Sequence, residues 1–287
     1  MFYNSLHARL TVFTGPGKGS GKTSALQAAA IEAQRFGPVG VFTIGFDGVN
    51  FKSPPMRFKP GDIVITSIPM LRAAGARLCI IEALPGRSAI GQLCVARVAR
   101  SGPVALAGPE HLSQLAIAID FIRQNSLVNT VLVDGAAGRI TQIGALPDAQ
   151  FIYCAQADAA NFLRVAENIE LISKLADLPL DAWDTNGDGL SGGAKTADNV
   201  LCVEGPLTVS MADALPNNVE CVSIGALSDC FLDAASFKRL SRRCKITVRR
   251  QIPLLGFAVA LRNVKRETLL DALPSASARV IFNPYTL

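Results

Sequence analysis

The chain has 287 residues, of which 49% are hydrophobic and 18% charged, with a formal net charge of +5 at pH 7. This balance excludes a disordered chain and supplies core for one large α/β domain or two smaller ones. No apolar run approaches the roughly 20 residues of a membrane-spanning helix, and the opening "MFYNSLHARLTVFTG" lacks the basic-then-apolar layout of a secretory signal, so a cytoplasmic location without a membrane partner is expected.

"LTVFT" (10–14) reads as a buried strand, and "GPGKGSGKTS" (15–24) as a glycine-rich turn that opens a helix from Thr23 to about Phe36. "VGVFTIG" (39–45) is a second strand. From Phe51 to Ala107 the rhythm changes: Pro-Gly and Ser-Gly-Pro turns separate the short runs "KPGDIVITS", "ARLCIIEAL" and "QLCVARVARSGPVALAG". These predict antiparallel β-structure inserted before the next βα unit, as a lid, a subdomain or a dimerisation surface.

Helical periodicity then marks 112–125 and 161–178, between the strand-like runs "NTVLVDG" (129–135) and "AQFIYCAQ" (149–156) and the later "NVLCVEG" (199–205), "ECVSIG" (220–225) and "KITVRR" (245–250). Such alternation predicts an α/β fold with a mostly parallel sheet flanked by helices. The expected division is a nucleotide-binding domain from 1–50 and 108–245, a β-rich insertion over 51–107, and a small C-terminal β/α unit over 246–287.

The glycine-rich turn carries the chemistry. A phosphate loop needs converging backbone N–H groups, glycines that let the backbone approach, a lysine for the terminal phosphates and a hydroxyl for Mg²⁺. Gly21, Lys22 and Thr23 supply these parts at the mouth of a helix, with Gly15, Gly17 and Gly19 before them. The strict G-x-x-x-x-G-K-[ST] pattern has Gly where this chain has Pro16, whereas the strand before and the alanine-rich helix after stand where the motif requires them.

The expected nucleotide contacts are therefore Gly17, Lys18, Gly19, Ser20, Gly21, Lys22, Thr23 and Ser24, with ATP and Mg²⁺ as the implied ligands. Lys18 adds positive potential; a second loop lysine of the kind that reaches across a dimer would stand at Gly17, one residue earlier. Mg²⁺ on Thr23 calls for a carboxylate at the end of a neighbouring strand. Asp134, closing "TVLVD", and Asp47, after "VFTIGF", fit that place, with Glu82 in "CIIEALPGR" a third candidate; an Asp-Gly turn is the alternative at both aspartates.

Other features exclude more than they suggest. The seven cysteines form no Cys-x-x-Cys pair and are expected as reduced thiols, and two histidines, His7 and His111, leave no His-rich metal site. "DTNGDGLSGGAK" (184–195) opens like a Ca²⁺ loop but carries Lys195 at its twelfth position, where the bidentate Glu belongs, and reads as a surface loop. The basic "FKRLSRRCK" (237–245) reads as a solvated helix face, and no nucleic-acid partner is expected.

Taken in order, "TGPGKGSGKTS", "VFTIGFDG", "FKPGDIVITS", "GQLCVARVARSGPVALAGP" and "VLVDGA" resemble the P-loop subunit of the reactivase for adenosylcobalamin-dependent lysine 5,6-aminomutase, over about residues 10–160. Val49 stands where that family has an acidic residue, and "KGSG" replaces an Arg-Asn-containing loop interior. The resemblance implies a P-loop ATPase of chaperone-like function, with a cobalamin-dependent enzyme or a second reactivase subunit as partner and a homo- or hetero-oligomeric state. The loop alone is also similar to that of dethiobiotin synthetase, which implies an ATP-dependent small-molecule ligase. A regulatory nucleotide-binding protein is the remaining alternative.

Overall fold

The computed structural model describes residues 5–45, 56–88, 90–135, 140–146, 148–181, 195–197 and 199–282. It divides into two compact units: unit 1 comprises 1–156, 255–260 and 281–287, and unit 2 comprises 157–254 and 261–280. Unit 1 begins with β1 (Leu10–Thr14), α1 (Lys22–Ala33), β2 (Val39–Thr43), β3 (Met56–Phe58), β4 (Ile63–Ser67), α2 (Ile68–Ala73) and β5 (Arg77–Ser88). It continues with β6 (Gly91–Arg100), β7 (Gly102–Val104), α3 (Leu112–Gln124), β8 (Thr130–Asp134), α4 (Thr141–Gly144) and β9 (Ala149–Asp158).

Unit 2 holds α5 (Phe162–Ala176), β10 (Lys195–Ala197), β11 (Val200–Cys202), β12 (Leu207–Thr208), α6 (Val209–Asp213), β13 (Cys221–Ile224), β14 (Cys230–Phe231), α7 (Ala234–Arg243) and β15 (Lys245–Val248). β16 (Leu254–Arg262) then joins the sheet of unit 1, α8 (Arg266–Asp271) belongs to unit 2, and β17 (Val280–Phe282) ends on the sheet of unit 1.

Among the described residues the central sheet of unit 1 has nine strands in the order β17-β16-β9-β1-β8-β2-β4-β6-β5. β9, β1, β8, β2 and β4 run parallel, and β6 and β5 extend the sheet antiparallel. The central strands are continuous runs of Val, Leu, Phe and Thr because both faces are covered, and all five residues of β1 are buried. On one face, Leu26, Ala29 and Ala33 of α1 share a core cluster with Phe13, Leu132 and Ile152. This is an α/β fold with a large, mostly parallel central sheet flanked by helices.

The segment expected as an insertion is β-rich and antiparallel in part, yet it is continuous with the main sheet. β4 pairs in parallel with β2, Gly40 opposite Ile63, and among the described residues of this segment only β3 and β7 form a separate two-stranded piece. Asp62, at the start of β4, anchors the junction. Its carboxylate is almost fully buried and accepts hydrogen bonds from Val39 N (3.0 Å), Lys59 N (2.7 Å) and Gln34 Nε2 (2.7 Å). Burial raises its pKa, and those three bonds and the charge of Lys59 oppose the rise. The compact units thus cut the chain elsewhere than at the expected 50, 107 and 245, because sheet pairing draws 56–104 into unit 1 and gives 157–254 a sheet of its own.

That second sheet runs β10-β11-β13-β15, with β11, β13 and β15 parallel. α5 buries Val165, Ile169 and Ile172, and α7 buries Phe237 and Leu240 while turning its basic residues outward. Arg239 bridges Asp213 at 2.6 Å, and Asp233 caps α7 by accepting from Ser236 N at 2.7 Å. The basic stretch is thus a charged helix face, as its spacing predicts.

Glu170 of α5 accepts from Ser275 N and Ala276 N (both 2.9 Å) and from the Ser275 hydroxyl, pinning the turn after α8. Burial works against its charge, but these bonds and nearby Lys174 outweigh it and hold the pKa below the usual Glu value. A carboxylate with a lowered folded-state pKa contributes stability above its unfolded pKa and loses it as pH falls through the folded one. The melting-temperature gap between the native chain and Glu170→Gln is therefore expected to be full near neutral pH and to close on acidification below the ordinary Glu pKa. A gap independent of pH in a calorimetric series rules this contribution out.

Candidate functional site

The residues singled out by the glycine-rich turn meet at the carboxyl ends of β1 and β8. β1 is followed by α1 and leads to β2 on one side, whereas β8 leads through α4 to β9 on the other side of β1. Adjacent parallel strands whose connections leave in opposite directions open a crevice at their carboxyl ends, the usual place for a ligand in such sheets.

Residues 15–21 span from β1 to α1. A Cβ built on Gly15 would fall on the carbonyl oxygen of Cys154 in β9 and lie 2.6 Å from Ser20 Oγ, so only glycine fits there. Gly19 and Gly21 adopt φ of +81° and +83°, the left-handed region. Pro16 is exposed, so the position where the motif has glycine makes no close approach, and Gly15 makes it instead. Gly17 has open space on its Cβ side.

The turn delivers Lys22 as the first residue of α1. Its Nζ donates to Gly17 O at 2.7 Å and to Ser20 Oγ at 3.2 Å, while Ser20 Oγ donates to Gly17 O at 3.0 Å. Lys22 and Ser20 are buried, so the ammonium lies over the loop with its stem in the core. Gly21 provides no side-chain cap to α1, and the first turn contains no acidic residue. The positive end of a 12-residue helix therefore faces the loop with no carboxylate from its own first turn.

Next along the helix, Thr23 Oγ1 donates to Asp134 Oδ2 at 2.9 Å. Asp134 closes β8 opposite Phe13 of β1 and Thr43 of β2. The cation, the hydroxyl and the carboxylate thus stand side by side at the mouth of one helix. No protein-family model matches this chain, and no curated protein or solved structure matches it.

The electrostatics of the crevice register on Cys154, which lies behind the loop. Burial pushes its thiol well above the usual range, the Asp134 carboxylate adds to the rise, and the Lys22 ammonium opposes it. Cys154 is a neutral core residue, one of seven free thiols. At the root of the loop, Thr14 Oγ1 is buried and has no hydrogen-bond partner among the described residues.

Lys18 is exposed at the loop tip, and Ser24 is half-buried in the first turn of α1. Asp47 and residues 184–194 of the Ca²⁺-loop look-alike lie outside the described residues. Glu82 does not belong to the site: it is exposed on β5, four strand spacings from β8, about 19 Å at the usual spacing. Among the described residues no group of three or more His, Cys, Asp or Glu side chains is placed to hold a metal ion, and no helix is long and apolar enough to cross a membrane. The role of Gly15 was hidden in the sequence because the group it approaches, the Cys154 carbonyl, lies on a strand far along the chain.

Proposed function

We propose that unit 1 is a P-loop ATPase module that binds Mg²⁺–ATP, and that its hydrolysis drives a change in a partner enzyme. The observation that carries this reading is the Thr23–Asp134 hydrogen bond at 2.9 Å beside the buried Lys22, at a helix N-terminus without a side-chain cap.

The donor set fits the ligand. Magnesium usually takes only one or two protein oxygens and fills its shell with water and phosphate, which suits one hydroxyl and one carboxylate. A bound magnesium ion neutralises charge on the phosphate oxygens. Thr23 would hold it, and Asp134, accepting from Thr23, would order its bound water. Lys22 would leave Gly17 O for the terminal phosphates, while the amides of residues 17–23 cradle them. In hydrolysis, water adds to the γ-phosphorus as its bond to the β,γ-bridging oxygen breaks, giving ADP and phosphate.

The partner reading, a reactivase acting on a cobalamin-dependent aminomutase, is supported by the resemblance over residues 10–160. Its test is ATP turnover with and without an adenosylcobalamin-dependent aminomutase. Stimulation supports the partner, whereas turnover that instead requires a small acid or amine supports a ligase. Asp134→Asn is expected to lower turnover about 100-fold while leaving nucleotide binding measurable, since the charge that orders the metal's water is lost. Wild-type turnover in that variant refutes the role given to Asp134.

A further inference from the structure

Unit 2 contains a groove of about 580 Å³ between α5 and α7, closed at one side by the turn after α8. Each helix contributes one full stripe. On α5 the lining residues Leu163, Glu167, Glu170 and Lys174 recur at helical spacing with Ala166 and Leu171 beside them, as do Ala234, Phe237, Lys238, Ser241 and Arg242 on α7. The stripes run about 16 Å along α5 and about 12 Å along α7 at 1.5 Å per residue, two to three turns of helix.

The floor is apolar. Phe237, itself almost fully buried, supplies its base, and Leu163 stands 61% exposed at the rim. The charges sit on the flanks. Glu170 is engaged by Ser275 and Ala276, so its carboxylate is not offered to an occupant. Lys238 and Arg242, one turn apart on α7, form no ion pair among the described residues, and Lys174 adds a third cation on the α5 side. Glu167 and the ionised Glu170, both toward the α5 side, offset two of the three cations, so the rim stays net positive and its α7 flank is wholly basic.

We propose that this groove is the docking site for an amphipathic helix of a partner protein, with an apolar stripe facing Phe237 and Leu163 and Asp or Glu residues along its flank against Lys238 and Arg242. A small-molecule pocket requires polar groups that converge on the ligand. Here the polar groups line the edges, and the open, elongated trough matches the helix-in-groove mode. The assignment is independent of the nucleotide reading, because it rests on unit 2 alone.

The test uses the full chain and two helix-stapled, fluorescein-labelled peptides of about 11 residues, three turns. Both carry leucine on one stripe; one has glutamate flanks and the other lysine flanks. Fluorescence anisotropy is expected to show saturable binding of the glutamate peptide and none of the lysine peptide at the same concentrations. The double variant Lys238→Glu/Arg242→Glu should weaken the glutamate peptide at least roughly tenfold and admit the lysine peptide. Leu163→Arg should abolish binding of the glutamate peptide to the otherwise native chain and of the lysine peptide to the double variant, with the melting temperature of each variant unchanged because all three side chains lie at the surface.

Absence of glutamate-peptide binding overturns the proposal, as does binding indifferent to these variants. Self-association in sedimentation that Leu163→Arg removes also overturns it, by assigning the groove to a second copy. Tighter binding of dodecanoate that displaces the peptide does so too, by assigning it to an amphiphile.

Discussion

Lys22→Ala is expected to abolish the stabilisation that Mg²⁺–ATP confers on the native chain. A ligand that binds only the folded state stabilises it by mass action, about 2.7 kcal/mol at 100 times its Kd, a rise of roughly 5–10 °C for a unit of this size. In the absence of phosphate the ammonium is satisfied by Gly17 O and Ser20 Oγ, so its removal leaves two acceptors and a small space but no buried unpaired charge. The unliganded variant should therefore melt near the native temperature and show no rise with nucleotide. Turnover should fall about 100- to 1,000-fold, the usual cost of losing one charged group aimed at developing phosphate charge. A native-sized thermal shift in the variant refutes the phosphate-loop reading.

The second large effect is expected at Gly15. Its α-hydrogens face the Cys154 carbonyl and Ser20 Oγ with no room for a methyl group. In Gly15→Ala either β1 and β9 part or the loop lifts, and forcing a side chain into a tightly packed site costs typically about 1–3 kcal/mol. Because Ser20 also donates to the carbonyl under Lys22, the displacement reaches the lysine, and nucleotide response should be lost along with stability. Gly17→Ala is the matched control. That position has nothing within 4 Å of its would-be Cβ and no positive φ, so its melting temperature should stay close to native. Equal melting temperatures for the two alanine variants, by differential scanning fluorimetry, refute the close approach at Gly15.

These two expectations draw on different kinds of information. Lys22 could be named from the chain alone, because Gly-Lys-Thr between an apolar strand and an alanine-rich helix is a local pattern. Strand, turn and helix signals depend on neighbours a few residues away, so β1, α1, β2, β8 and β9 fall close to where periodicity puts them. Asp134 was nameable for the same reason, as a carboxylate ending an apolar strand. The fold adds the reason for its rank above Glu82: β8 stands next to β1, whereas β5 stands at the far edge of the sheet.

Strand order, and all that depends on it, is set by hydrogen bonds between segments remote in the chain. Thr23 and Asp134 are 111 residues apart, and no local pattern states that β8 slots between β1 and β2. The same long-range pairing places the Cys154 carbonyl against Gly15, so that this glycine and not position 16 is sterically required. It also joins β4 to β2 where the turn chemistry of 51–107 reads as an insertion, and sets α5 beside α7 to form a groove that neither helix shows alone. Residue chemistry is written locally, whereas the adjacency that turns a lysine, a hydroxyl and a carboxylate into one site is a property of the assembled sheet.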